Sequence, residues 1–493
     1  MRRSSLSAGT RHLNRGSIWR FWAAMRRLAE VAGVLCLAQI LQGCIDHEKP
    51  DLALDTPGTY RASQGRAEAA LPALDWWRDF GSRELTALIE QGQVANFDIA
   101  IAIAQIKQAD AQARIAGAPL LPSIDLNGSA TVAKPFGQTS GNAPTLYGTS
   151  LSASYIVDFW GKNQTALAAA EETAVASRYN RQVVALTTVS AVATSYFQIL
   201  GAQDRLRIAR RNLKAASDIL DVIRQQLKGG TASAISVAQQ EALVETERAL
   251  IPPLEQTLGQ QLAALAVLIG QMPERFNARG GSMARLKIPR VTPGLPSELL
   301  NQRPDLRQAE AQLASANYDV QSARAAFFPT IELTGAAGFE SKALHALFGP
   351  GAWFYTAAAG LTQPVFDGFL LEGQLELQLG LREQALQAYR KAVLSAFANV
   401  EQALIALQET TLQEQHQRAV VRASQTALDL SEQQLQLGTV NLVNLLQVEE
   451  TLFQADDTLA QVQLSRLLAV VALFQALGGG WSPPQQEADA VPQ

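Results

Sequence analysis

This chain of 493 residues is poor in the residues that build reactive centres. It has two cysteines, Cys36 and Cys44, and four histidines, His12, His47, His345 and His416. The histidines lie far apart and none pairs with a cysteine at metal-ligand spacing, so a bound metal is not expected. No Gly-rich phosphate loop, metal-ligand cluster or nucleophile elbow is present, which argues against an enzyme. Net charge is only −4, giving no global basis for binding nucleic acid. After residue 44, no segment holds the roughly 18 consecutive apolar residues of a membrane-spanning helix. Charged residues make up 17% and aromatics 6%, against much Ala, Leu and Gln, a mix suited to long, closely packed helices.

Helix breakers are scarcest where they matter most. From Asn163 to Lys228 the sole breaker is Gly201, and from Glu372 to Leu437 there are Gly373 and Gly380 but no proline. At ~1.5 Å per residue, about 65 residues make a rod near 100 Å. Such rods are rich in Ala with spaced Leu or Val, and must pack lengthwise on other helices. A cytosolic coiled coil would show the same pattern, but the N-terminus argues against it.

That N-terminus reads as an address. Met25-Arg26-Arg27 precedes an apolar stretch from Leu28 to Leu41 and then Gly43-Cys44, the order of a signal peptide. Leu41-Gln42-Gly43-Cys44 resembles a lipobox, in which the cysteine is acylated and becomes the first mature residue. Gln42 departs from the usual small or β-branched residue there. Residues 1–43 are therefore expected to be an N-terminal extension and signal, with translation beginning at Met25. Cleavage would leave Cys44 alone and exclude an internal disulfide. Ile45, in place of the Asp common in lipoproteins kept at the inner membrane, favours the outer membrane.

An internal repeat organises the rest. Gly230 to Gln239 matches Gly438 to Gln447, and Leu268-Ile269-Gly270 matches Ala476-Leu477-Gly478, both at an offset of 208. Ala118 to Ile124 resembles Ala325 to Ile331 at an offset of 207. The expected units are a lipidated segment 44–74, a first repeat 75–275, a linker 276–297, a second repeat 298–480 and a tail 481–493. Each repeat reads as a helix (96–118 and 305–327), a strand pair, a very long helix, a tight Gly turn and a returning helix. The strand pairs, about 123–158 and 330–363, rest on alternation of apolar and polar residues. Each strand is about ten residues, enough to cross a bilayer when tilted. Tyr147, Trp160, Trp353 and Tyr355 lie near strand ends, where interfacial aromatics belong. Soluble hairpins with one wet face would alternate equally well.

Four membrane strands cannot close a barrel. An open sheet edge is not tolerated in lipid, because its backbone groups would lack partners. Membrane strands here would require several chains to share one barrel.

The block Leu299 to Glu310, with Arg303-Pro304-Asp305 at its centre, runs on to Ala323-Arg324-Ala325-Ala326-Phe327-Phe328-Pro329. It closely resembles the signature of TolC-type outer-membrane factors, the lipoprotein branch serving resistance-nodulation-division pumps. Asp75-Trp76-Trp77, Asp158-Phe159-Trp160-Gly161-Lys162 and Ile251-Pro252-Pro253 extend the resemblance across 44–480. It implies a mainly α fold with a small membrane β part: a homotrimer with a 12-strand barrel and a helical barrel beneath. It also implies a periplasmic adaptor and an inner-membrane pump as partners, passive export of small molecules, and no cofactor beyond lipid on Cys44. A protein-secretion duct, or a trimeric adhesive lipoprotein, would share parts of this description.

Within that reading, Gly229, Gly230, Thr231, Gly438 and Thr439 form the periplasmic tip that meets the adaptor. Family members often carry Asp six residues past this Gly. Here Ser236 and Asn444 stand at those positions, and Gln447 matches a further acid, so a gate held by neutral groups is expected. Arg205, Arg207, Arg210, Arg211 and Lys214 read as a solvated or intersubunit face rather than a substrate site.

Overall fold

The structure, a computed structural model, describes residues 60–61, 73–132, 145–291, 296–436 and 442–481. The signal region, Cys36, Cys44, most of the lipidated segment, the turn Gly438-Thr439 and the tail from 482 lie outside them. The chain divides into Met1–Ala53 and Leu54–Gln493, and all that follows concerns the second unit.

Two stretches of 67 residues without proline each form one continuous helix. In chain order the helices are α1 (Arg83–Ala95), α2 (Phe97–Gly117), α3 (Lys162–Lys228), α4 (Ala234–Leu268), α5 (Pro296–Gln302), α6 (Pro304–Ala325), α7 (Leu370–Gln436) and α8 (Leu442–Ala476). The strands are β1 (Ser123–Val132), β2 (Thr145–Val157), β3 (Thr330–Ser341) and β4 (Trp353–Thr362). Both ends of α3 and α4 map onto those of α7 and α8 at the sequence offset of 208.

The strands form one antiparallel sheet in the order β1-β2-β3-β4. β2 begins at Thr145, where Thr145 to Thr149 pair with Val132 to Gly128. The helix expected over 96–118 starts at Phe97, and a separate helix, α1, precedes it within the first repeat. Asn96 divides the two: its backbone is extended and its side chain accepts from the N–H groups of Asp98 and Ile99, capping α2.

The main core gathers around the middle of α3. Val189, Val192, Ala193, Tyr196, Phe197 and Leu200 recur at helical spacing on one buried face. Against them pack Trp76, Trp77 and Phe80, Leu85 and Ile89 of α1, and Val470, Val471 and Phe474 near the end of α8. Trp76 stacks on Phe474 with centroids 4.6 Å apart, a geometry that adds about 1 kcal/mol to simple burial. By composition, windows of α3 and α8 are apolar enough to cross a membrane. Their apolar residues are instead spent on this core and its neighbours. The loop after α4 is stapled to α3 by Asp204, which accepts from Ser282 Oγ and Met283 N–H, and by Gln203, which accepts from Gly281 N–H.

A candidate channel built of sheet, joint and tip

The sheet has two unlike faces. Its register places Ile124 opposite Ala153, Leu126 opposite Leu151, Leu333 opposite Tyr155 and Ala359, and Phe339 opposite Trp353. Cross-strand partners share a face, so these residues make one apolar surface. The other face carries Ser123, Asp125, Asn127, Ser150, Ser152, Ser154, Glu332 and Thr334. Ser123 and Ser154 share a hydrogen bond of 3.3 Å, and Asn127 donates to Ser152 at 2.8 Å. The apolar face is bare: Leu126 is 79% exposed, Tyr355 70% and Leu361 68%. β1 and β4 are edge strands with one neighbour each, and every residue of β1 is exposed.

Aromatic rings mark both margins. Tyr147, Phe339, Trp353 and Tyr355 gather at one end of the strands, with Trp353 and Tyr355 5.4 Å apart. At the other, Trp160 stacks on Phe328 at 4.7 Å and donates its indole N–H to the Pro329 carbonyl at 2.9 Å. Trp160 and Trp353 thus lie at opposite margins. There Asp158 also accepts from the N–H groups of Asn163 and Gln164 and caps α3. An acid at a helix N-terminus also suits the dipole.

The Arg303 block forms a joint, and the first repeat builds the same joint with different residues. Arg303 is buried at the N-cap of α6. It donates two hydrogen bonds to the Asp305 carboxylate, at 3.0 and 2.7 Å, and a third to the Ala476 carbonyl at 3.0 Å. In the first repeat the buried Asn96 donates to the Leu268 carbonyl at 2.9 Å. Leu268 and Ala476 are equivalent, so both side chains satisfy the last carbonyls of a returning helix. Gly270 and Gly478 follow, both with positive φ (69° and 74°). A Cβ on Gly270 would lie 2.3 Å from the Ala95 carbonyl oxygen, and one on Gly478 2.5 Å from that of Gln302. Only glycine fits where backbones approach this closely.

At the far end of α3 the chain reverses through Gly229, Gly230 and Thr231. Gly230 takes the left-handed conformation at φ 76°, whereas Gly229 has an ordinary φ of −78°. Thr231 donates through both its backbone N–H (2.9 Å) and its hydroxyl (3.1 Å) to the Gln226 carbonyl. Ser233 caps α4 by accepting from Ser236 N–H, and the two hydroxyls share a 2.9 Å hydrogen bond. Asn444 and Gln447 lie exposed near the start of α8. Among the described contacts, no hydrogen bond joins Ser236, Asn444 and Gln447 within one chain.

Each residue of the basic run on α3 has an acidic partner within the chain, while Arg207, Arg210, Arg211 and Lys214 stay more than half exposed, as a solvated face would. Arg205 binds Asp457 in a bidentate pair at 2.6 and 3.0 Å, Arg211 pairs with Asp456, and Arg210 reaches Glu255 at 2.8 Å. Arg207 pairs with Asp204, and Lys214 with Asp218. The pairs of Arg205 and Arg211 fasten α3 to α8 and that of Arg210 fastens it to α4, whereas those of Arg207 and Lys214 lie within α3. At the offset of 207, Asn96 aligns with Arg303, which is the signal by which the first joint could have been found.

Residues 88–271 and 295–479 match the outer membrane efflux protein family. The chain belongs to that family. It is 38% identical over 474 residues to the pyoverdine export outer membrane protein OpmQ of Pseudomonas aeruginosa, covering 94% of this chain and 98% of the relative. It is 30% identical over 457 residues to the probable efflux pump outer membrane protein TtgC of Pseudomonas putida, covering 90% and 94%. Among solved structures it resembles the open state of the Neisseria gonorrhoeae MtrE outer membrane channel, with TM-score 0.79, 28% identity, and 88% and 98% of the two chains covered. This efflux protein is thus an outer-membrane duct, with its helical part in the periplasm, in a family of channels rather than enzymes.

Proposed function

We propose that three copies of this chain close one 12-strand barrel and conduct small molecules passively from a periplasmic adaptor and a resistance-nodulation-division pump. One observation carries the reading: the sheet has a bare apolar face, a polar face and two unpaired edges. In lipid each edge must find a partner. β1 of one copy pairing with β4 of the next satisfies both and puts the serine-rich face inward. Cys44 carries the lipid. Gly229, Gly230 and Thr231, with Gly438 and Thr439 of the equivalent turn, meet the adaptor. Ser236, Asn444 and Gln447 narrow the channel there. Being neutral, they make a constriction whose opening in planar bilayers is insensitive to salt between 0.1 and 1 M, since screening acts on charges; steep salt dependence would refute that assignment.

For cargo, the strong similarity to OpmQ over almost the whole chain supports secreted iron chelators of the pyoverdine class, alongside drug-like molecules. The test is accumulation of a fluorescent pump-exported dye, and of labelled pyoverdine, in cells lacking the gene and in cells with it restored on a plasmid. Retention of either compound in the deletion, reversed by the plasmid, supports the duct. Equal levels of both, with the protein verified in the outer membrane, would contradict it.

A further inference from the structure

Near the tip the two repeats part company. In the first, Arg224 near the end of α3 binds Glu241 on α4 at 2.7 Å, and both side chains are about half exposed. The equivalent positions in the second repeat, at the offset of 208, are Glu432 on α7 and Glu449 on α8. An ion pair has become two acids. Glu449 is also fully buried, between Leu445 and Phe453 one turn to either side. Leu445 packs with Leu428 of α7 and Ile219 of α3. Phe453 packs with Ala216 and Leu220 of α3 and Val244 of α4. Four helices therefore enclose a carboxyl that begins only about 10 Å along α8 from its tip end.

Among the described residues that carboxyl pairs with no cation, and the donor beside it is the Gln240 amide. Neither oxygen of Glu449 accepts a hydrogen bond, and Oε1 of the fully buried Gln240 has no partner either. The Gln240 amide is already committed, donating to the Ala216 carbonyl at 2.9 Å. The groups facing the site are Gln240 and the buried Glu247 on α4 and the exposed Glu432 on α7. Glu247 in turn faces Asn212 of α3 and Glu450 and Asp457 of α8. The nearby arginines, Arg205 and Arg211, are occupied by Asp457 and Asp456.

We propose that Glu449 is a proton-operated latch. Protonated, it donates to Gln240 Oε1 and closes the packing of α3, α4, α7 and α8 above the turns. Ionised, it is a buried charge facing Glu432 and Glu247, and it loosens that packing. This rests on the reading of the turns as the end that opens. Burial, with Glu432 and Glu247 adding to it against the Gln240 amide, pushes the carboxyl up to about 7. Because the buried form holds its proton more tightly than an exposed carboxyl, closure is strongest in acid and is lost as pH rises through about 7. Acid therefore tightens the tip.

The test is hydrogen exchange of the full-length protein in detergent at pH 6 and pH 8, corrected for the intrinsic rate. Peptides over 210–225, 236–252 and 442–456 should lose about tenfold in protection between the two, as linkage requires for a group of this kind. Peptides over 465–476 should not. Glu449→Gln should hold acid-level protection at both, and Glu432→Arg, which restores the first repeat's pairing, should flatten the response. A wild-type tip with equal protection at both pH values, or an unchanged tenfold loss in Glu449→Gln, would overturn the latch. Single-channel recordings separate it from the reading beneath it. Exchange that follows pH while conductance does not would keep the latch but remove the turns as the channel's closed end.

Discussion

The two repeats make the same shape from different chemistry. At the joint, Asn96 and Arg303 do one job, closing the carbonyl end of a returning helix, one with a neutral amide and the other with a guanidinium clamped by Asp305. The glycines that follow are identical, because their role is set by backbone approach and leaves no chemical choice. Near the tip the divergence goes further, from an ion pair at Arg224 and Glu241 to a buried unpaired acid at Glu449. Contacts between backbones are thus held in both copies, while contacts between side chains have been free to specialise. A duplicated chain can in this way keep its architecture and place a function in one half.

The largest expected effect tests the shared part. Gly270→Ala and Gly478→Ala should each prevent folding, because both force a Cβ into a carbonyl oxygen at positive φ. Little protein should reach the outer membrane in either variant, judged by fractionation and immunoblot. Normal levels of one would break the equivalence of the joints.

Next in size are the two faces of the sheet. Leu126→Arg places a charge on the bare apolar face and should cost about 2–4 kcal/mol in each copy. Ser152→Arg, on the polar face, should assemble normally and change conductance alone. Heat-resistant oligomer on gels measures the first effect and bilayer recordings the second.

The joints should then separate by chemistry. Asn96→Ala loses a cap and a buried carbonyl's donor, about 2 kcal/mol together. Arg303→Ala should destabilise further, by about 2–4 kcal/mol, since it frees Asp305 and Ala476 at once, and should show a lower melting temperature than Asn96→Ala. Arg303→Lys should recover little, because lysine cannot grip Asp305 with two parallel bonds. Equal losses from Asn96→Ala and Arg303→Ala would show that the carbonyl alone matters.

The smallest effect concerns Glu414, the paired counterpart of Glu449. Burial pushes its carboxyl up, but the hydrogen bonds and charges of Arg418 and Arg466 outweigh burial and leave it below the usual range. Its contribution is therefore present above the ordinary carboxylate pKa and lost as pH falls. Glu414→Gln should destabilise by about 1–2 kcal/mol at pH 7, a difference that shrinks towards pH 4 in thermal melts. The opposite pH trends of Glu414 and Glu449 sharpen the contrast between a paired and an unpaired buried acid.

What the sequence made legible follows from range. Alternation along β1 to β3 and the unbroken runs of α3 and α7 are local patterns with one physical solution each. The Gly230 turn is equally local. The partners of Arg205 and Arg211 are not, since Asp457 and Asp456 lie some 250 residues away and meet α3 only when α8 packs on it. The helix α4 continues through Pro252 and Pro253, which local rules would break, because its packing elsewhere holds it. Glu449 reads in sequence as one more surface acid; its burial exists only once four helices meet.

If separate chains share one barrel, disulfides across the sheet edges β1 and β4 will join them. Asn127→Cys on β1 would be combined in turn with Thr356→Cys, Ala358→Cys and Gly360→Cys on β4, in protein taken from outer membranes. At least one pair should yield a covalent trimer on non-reducing gels that collapses to monomer with reductant. Monomer from every pair, with each variant present in the outer membrane, would contradict a shared barrel.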